Sequence, residues 1–150
     1  MTATKVDLGS LNMRTIAFLA ALAACACTQQ TQPAQPTQAE LVSRGEYLVT
    51  GLVGCHDCHT PMTAAGPDMT RALQGAELAF APTIEIPWGA VAPALAGGLA
   101  GYTDEEFAQL LQTGARPDGS RPRAPMPPFR MNEADARAVT AYIKSLPPAQ

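Results

Sequence analysis

Residues 55 to 59 read Cys55-His56-Asp57-Cys58-His59, two thiols and two imidazoles in five positions. One helical turn of this spacing carries both cysteines to one side and sets the last histidine beside them. A chain built this way must keep room next to that turn for whatever the sulfurs and the imidazole hold. Haem attachment uses this C-x-x-C-H pattern: the thiols form thioethers with the two vinyl groups and the adjoining imidazole lies beneath the iron. Cys55 and Cys58 are thus the expected attachment points of one covalent haem (haem c), and His59 the expected proximal axial ligand. Zinc and a redox dithiol are the alternatives. A tetrahedral zinc site draws its ligands from two separated knuckles, and no histidine exists outside the motif. A thioredoxin-like dithiol opens a helix after a strand, and no βαβ pattern surrounds these residues.

His56 is expected to face solvent, and it cannot reach the far side of a haem held by its neighbours. The sixth ligand is then methionine, lysine or an open position. Met62 and Met69 follow the motif closely and belong to its own loop. Met126 lies 67 residues beyond His59, in Pro125-Met126-Pro127-Pro128, where prolines stiffen an extended segment that can present a thioether. It is the expected axial ligand. Met131 is the rival, but it directly precedes the helix cap Asn132 and reads as packing. Which carbonyl orients His59 is open; Pro61, Pro67 and Pro82 are nearby in sequence.

The surrounding pattern is helix, motif loop, helix, loop, helix. Glu40 to Leu52 places Leu41, Leu48 and Leu52 on one helical face, with Gly45 and Gly51 permitting close backbone approach. Thr103-Asp104-Glu105-Glu106 is a capping box ahead of Phe107, Leu110 and Leu111, and Gly114 ends that helix. Asn132 caps a third helix with Ala138, Val139, Tyr142, Ile143 and Leu146 inside and Pro147-Pro148 at its end. No strand pattern competes. Only eight aromatic residues, among 14 prolines and 12 glycines, leave a thin side-chain core that a covalent haem would complete.

The first 39 residues read as address and tether. Arg14 precedes an apolar run through Ile16, Phe18, Leu19 and Leu22, too short to span a bilayer, so residues 1–24 are expected to be a signal peptide, with Met13 a candidate start. Leu22-Ala23-Ala24-Cys25 resembles the bacterial lipobox, which implies lipid attachment at Cys25; cleavage after an A-x-A pattern, releasing a soluble periplasmic protein, is the alternative. Ala26 carries no retention signal, and Cys27 has no assigned role. Thr28 to Ala39 is uncharged and proline-interrupted, so 25–39 reads as a lipid-anchored linker and 40–147 as the folded domain.

Over about residues 40–147 the chain resembles class I cytochrome c. The resemblance rests on Arg44-Gly45-Glu46-Tyr47-Leu48, Cys58-His59-Thr60-Pro61, Thr103 to Phe107, Gly114 to Gly119, Pro125-Met126-Pro127 and Ala141-Tyr142-Ile143. These are similar to the cytochrome subunits of bacterial alcohol and aldehyde dehydrogenases, although one motif stands here where those often carry several, and Pro128 replaces their tryptophan. The resemblance implies an all-α fold of three main short helices and loops around one haem. It makes Gly45 the helix-crossing glycine beside Tyr142, and it supports Met126, sixteen residues before Tyr142, over Met131 at eleven.

With His59 and Met126 as axial ligands the chemistry is one-electron transfer rather than oxygen activation, so an electron carrier and not an enzyme is expected. Its partners would be a dehydrogenase, a bc-type complex or a terminal oxidase. A dedicated dehydrogenase subunit, and a haem enzyme or sensor with an open sixth position, are the other readings. The net charge of −3 and a pI near 5.3 exclude a nucleic-acid binder. Trp88 reads as core packing, with haem lining or a propionate hydrogen bond as the alternative. Ala115 to Met131 holds Arg116, Arg121, Arg123 and Arg130 against Asp118 alone. Such a run is ordinarily a solvated loop; the sharper reading is propionate pairing or steering of an acidic partner.

Overall fold

Each of the three long helices starts on a side-chain cap. In the computed structural model, which describes residues 34–150, Thr37 opens α1 (Gln38–Tyr47) with a capping box. Its hydroxyl accepts from the Glu40 N–H while its own N–H donates to Glu40 Oε2 at 2.7 Å. Thr103 and Glu106 repeat the device at α3 (Asp104–Thr113), and Asn132 Oδ1 accepts from the Asp135 N–H at 2.8 Å to open α4 (Glu133–Ser145). Each cap contributes about 1 kcal/mol. The Thr37 box sits inside the stretch read as tether, so the first helix begins at Gln38, before Glu40. The signal peptide, Cys25 and Cys27 lie outside the described residues.

α1 crosses α4 at Gly45. A Cβ there would lie 2.6 Å from the Ala138 carbonyl carbon and 2.7 Å from Tyr142 Cβ, so only glycine admits this approach, and Tyr142 is its neighbour as expected. Arg44 clasps Asp135 across the crossing at 2.9 Å. Gly51 has no such role, since a Cβ there would touch only the Tyr47 ring at ordinary distance. The expected stripe also breaks at Leu52, which is 64% exposed. The reason is a change of winding. From Leu48 to Val53 the chain is π-helical, and the wider turn shifts the phase so that Val49 is buried in its place, beside Leu48, which is buried as expected.

α3 packs on α4 through Phe107, Ala108, Leu110 and Leu111, and Lys144 of α4 meets Asp104 at 2.7 Å. Gly114 closes α3 in the left-handed region, φ 68°. Between the long helices lie the motif helix α2 (Cys55–His59) and two antiparallel pairs of two-residue strands. β1 (Met62–Thr63) pairs with β2 (Gly66–Pro67), and β3 (Ala76–Glu77) with β4 (Val91–Ala92), in the register Ala76 to Ala92. The fold is mostly helical, and these pairs depart from the all-α expectation. They are too short to show any alternation in the sequence, so tertiary contact alone sets them. No described helix is long and apolar enough to cross a membrane.

Candidate functional site

Gly54, with φ 69°, turns the chain out of the π-helical segment and into α2. The single turn of α2 buries Cys55 and His59 and leaves Cys58 half-buried. His59 is held from two directions. Its carbonyl accepts the Gly75 N–H at 2.8 Å, and its Nδ1 lies 2.7 Å from the Pro93 carbonyl oxygen. A carbonyl only accepts, so Nδ1 carries the proton and Nε2 keeps its lone pair. The orienting group is therefore none of Pro61, Pro67 and Pro82. The β3–β4 pair brings residues 92–94 against Gly75, where a Cβ would meet the Ala94 nitrogen at 2.9 Å, and so delivers the Pro93 carbonyl to the imidazole. A lone glycine is the only trace of this in the sequence.

The other side of α2 corrects a second expectation. His56 is buried, not solvent-facing. Its Nδ1 lies 2.9 Å from Thr60 Oγ1, which also accepts the Leu73 N–H at 2.9 Å. The hydroxyl, with one donor and two lone pairs, serves both groups, and the Nε2 of His56 is left buried without a partner. Leu73 itself is fully buried with φ 55°, a left-handed conformation that a leucine adopts only under constraint. The Thr60 hydroxyl and the N–H groups of Leu95 and Ala96 on its carbonyl supply that constraint. Nothing in the sequence around Leu73 signals this.

Cys55, Cys58, His59 and Met126 line one cavity of about 580 Å³, within the usual size of cofactor pockets. Leu95, Phe107, Leu111, Phe129 and Ile143 form much of its apolar wall. A larger groove of about 840 Å³ lies among α1, α3 and α4, but Gln109, Glu133 and Lys144 wall it and no motif residue reaches it. Met126 sits in a turn, not an extended segment, because its N–H bonds to the Arg123 carbonyl at 3.2 Å. With proline on both sides it has the one free N–H of that stretch. Met62 and Met69 are 47% and 55% exposed and away from the cavity, while Met131 packs on the core with its N–H on the Leu111 carbonyl.

The electrostatics argue against the alternative chemistries. Burial pushes the Cys55 thiol up to about 11 and raises Cys58 as well, with the Asp57 carboxylate adding to both. A reactive dithiol requires the opposite shift. Among the described residues no three His, Cys, Asp or Glu side chains group closely enough to hold a metal ion. Burial also lowers His59, against the opposing pull of the Pro93 carbonyl, which keeps the imidazole neutral and its lone pair available. An apolar cavity with two unionised thiols, an oriented neutral imidazole and a thioether in its lining fits a covalent haem.

Trp88 lies beside this site, its backbone bridged to Ala124 and its ring edge-on to Phe80 at 5.7 Å. Its Nε1–H is buried without a protein partner. Arg116 and Arg123 line the cavity, and Arg121 and Arg130 are exposed on the same loop.

Residues 42–147 match the family model described as cytochrome c. The chain is 34% identical over 111 residues to the cytochrome c subunit of a quinone alcohol dehydrogenase of Gluconobacter oxydans, covering 69% of this chain and 21% of that protein. It is 31% identical over 113 residues to a fructose dehydrogenase cytochrome subunit of Gluconobacter japonicus, covering 70% of this chain and 22% of that one. The chain thus spans about a fifth of the length of these relatives. Taken with the helix crossing and the cavity, the match over most of its length makes this chain a member of the cytochrome c family, an electron-transfer domain with covalently bound haem c.

Proposed function

We propose that Cys55 and Cys58 hold the haem through thioethers, that His59 and Met126 are its axial ligands, and that the protein carries single electrons between envelope redox proteins. The observation that carries this reading is the shared cavity, with His59 fixed in one tautomer by the Pro93 carbonyl. Bound there, haem supplies a one-electron Fe(III)/Fe(II) couple. The chain's own residues do the rest. Pro93 keeps the imidazole from rotating and raises its basicity, the apolar wall excludes water, and the Arg123–Met126 turn holds the thioether in the cavity lining. With His59 and Met126 both holding the iron, no position would be left for a substrate, which suits electron transfer.

The test is the visible spectrum of protein matured with the c-type apparatus. The ferric wild type is expected to show a sulfur-to-iron band that Met126→Ala lacks while retaining its covalent haem. Survival of the band would refute Met126 and point to Met131. Carbon monoxide binding by the ferrous wild type at neutral pH would instead favour an open sixth position.

The lipobox-like Leu22 to Cys25 supports a lipid anchor on the periplasmic side of a bacterial membrane, with Thr28 onward as the tether to the folded domain that opens at the Thr37 cap. Mass spectrometry of the mature N-terminus would reveal a diacylglyceryl Cys25. The names of the two relatives favour a dehydrogenase as electron donor, either encountered in solution or held as a permanent partner. A bc-type complex or a terminal oxidase would then be the acceptor. Co-purification of a catalytic subunit separates the permanent assembly from the free-standing carrier.

A further inference from the structure

The loop that carries Met126 is poor in anchors. Of the eight residues from Arg121 to Pro128, four are proline (Pro122, Pro125, Pro127 and Pro128) and have no N–H to donate. The Met126 N–H turns back to the Arg123 carbonyl, and the Phe129 N–H to that of Pro127, so both serve the loop itself. Among the described residues, one backbone hydrogen bond fastens residues 121–128 to another part of the fold: the Gly89 N–H donates to the Ala124 carbonyl at 2.8 Å. The Trp88 backbone forms an isolated bridge with the same Ala124, two residues before Met126.

Gly89 belongs to a hairpin that also serves the other side of the cavity. The β3–β4 pair is extended by the Leu78 N–H on the Ala90 carbonyl at 2.9 Å, and the Phe80 and Trp88 rings meet edge-on across the joining loop. At the base of the hairpin the Gly75 N–H holds the His59 carbonyl, and the Pro93 carbonyl holds His59 Nδ1. Leu78, Gly89, Val91, Ala92 and Pro93 all line the cavity, so one hairpin runs along its wall from the imidazole to the methionine loop. The Gly89 bond is of ordinary length, and on its own it would be loop closure. Its place sets it apart, because it joins the methionine loop to the same segment that orients His59.

We infer that Gly89 is a positioning residue for Met126: through Ala124 it sets where the thioether stands in the cavity, and through the hairpin it fixes that place relative to His59. This role rests on the reading of His59 and Met126 as axial ligands given above. A thioether carried by a loop stays on the iron only while the loop keeps its place, so the population with Met126 bound depends on the ties of that loop. Mounting both ligands on one hairpin holds their separation steady, which is the protein's share in a one-electron couple.

The test compares Gly89→Ala with Gly89→Pro in the full-length, haem-loaded protein. The alanine keeps the N–H, and its Cβ would lie 3.7 Å from the Ala124 oxygen and 3.8 Å from Arg123 Cβ, both ordinary contacts. The proline removes the donor. Each ferric protein is titrated with imidazole, which takes the iron position that methionine leaves, and loss of the sulfur-to-iron band is followed. Gly89→Pro is expected to bind imidazole roughly fivefold to tenfold more tightly than wild type, as the loss of one hydrogen bond dictates, and Gly89→Ala to match wild type within about twofold. Equal affinities in wild type and Gly89→Pro overturn the positioning role, as does an equal rise in both variants. A bond that only stabilised the fold would lower the unfolding temperature and leave the imidazole affinity in place. If the proline variant does not mature, the wild type decides by reciprocity. Saturation with imidazole is expected to speed hydrogen exchange at the Gly89 amide while the Gly75 amide keeps its rate, and an unchanged Gly89 amide overturns the role. Persistence of the band in Met126→Ala refutes the ligand reading instead, so the two failures are told apart.

Discussion

The helix crossing and the haem cavity solve the same problem, burying apolar surface in a small domain, by opposite means. At the crossing the chain's own atoms meet: Gly45 lies against the Ala138 carbonyl, and Ala136 and Ala138 of α4 are wholly buried. At the cavity the wall is equally apolar, yet about 580 Å³ is left for a group the polypeptide does not supply. The first region is specified by side-chain shape. The second is specified by loops that are stitched together so that a cavity persists, through His59, Leu73, Gly75 and Pro93. A domain of this length can divide its core so because a covalent cofactor cannot leave.

The comparison breaks most visibly if the cofactor is denied. Cys55→Ala/Cys58→Ala is expected to lose covalent haem and, with it, more than about 5 kcal/mol, comparable with the whole stability of a small domain. Loss of the thermal transition by circular dichroism would record this; a cooperative transition near the wild-type temperature would show that the cavity side needs no haem.

Next in size, Gly45→Val tests the crossing. Its branched side chain would have to displace α4 backbone, at a cost of about 3 kcal/mol or more, read by urea unfolding of the holoprotein, with the haem spectrum of the folded fraction unchanged. Gly75→Ala sharpens the contrast, since φ 83° and the Ala94 contact oppose a Cβ. A loss of about 1–3 kcal/mol is expected, together with a shifted reduction potential as the Pro93 carbonyl moves off His59. Gly45→Val should leave that potential in place.

The smallest effect concerns pH. Burial lowers the His56 pKa, opposed only in part by Asp57. Because the folded state binds this proton less readily than the unfolded chain, the stability tied to neutral His56 is full above about pH 6.5 and is lost as pH falls toward the lowered folded value. Denaturation midpoints should therefore decline as pH falls below about 6.5, and His56→Gln should flatten that decline.

Much of the helix crossing was legible because its signals are local. Thr103 and Glu106, or Asn132 and Asp135, lie three residues apart and cap a helix whatever lies elsewhere. Gly45 and Tyr142 are marked by the family resemblance, whereas the Thr37 box is masked by the polar linker around it. The cavity was legible only at its chemical groups. Leu52 departed from its stripe because a change to π-helical winding leaves no mark in the pattern of apolar residues, and His56 was misplaced because its burial depends on Thr60 and Leu73 together.

By itself the sequence determined the family, the cofactor and the starts of the two later long helices, since these rest on residue identity and on hydrogen bonds that span three or four positions. The tertiary structure alone decided which carbonyl turns His59, that Leu73 takes a left-handed conformation, and that His56 is buried. These features join loops up to 34 residues apart, as His59 and Pro93 are. Loops of glycine, alanine and proline carry no periodicity to announce their partners, so only the packed chain brings them together.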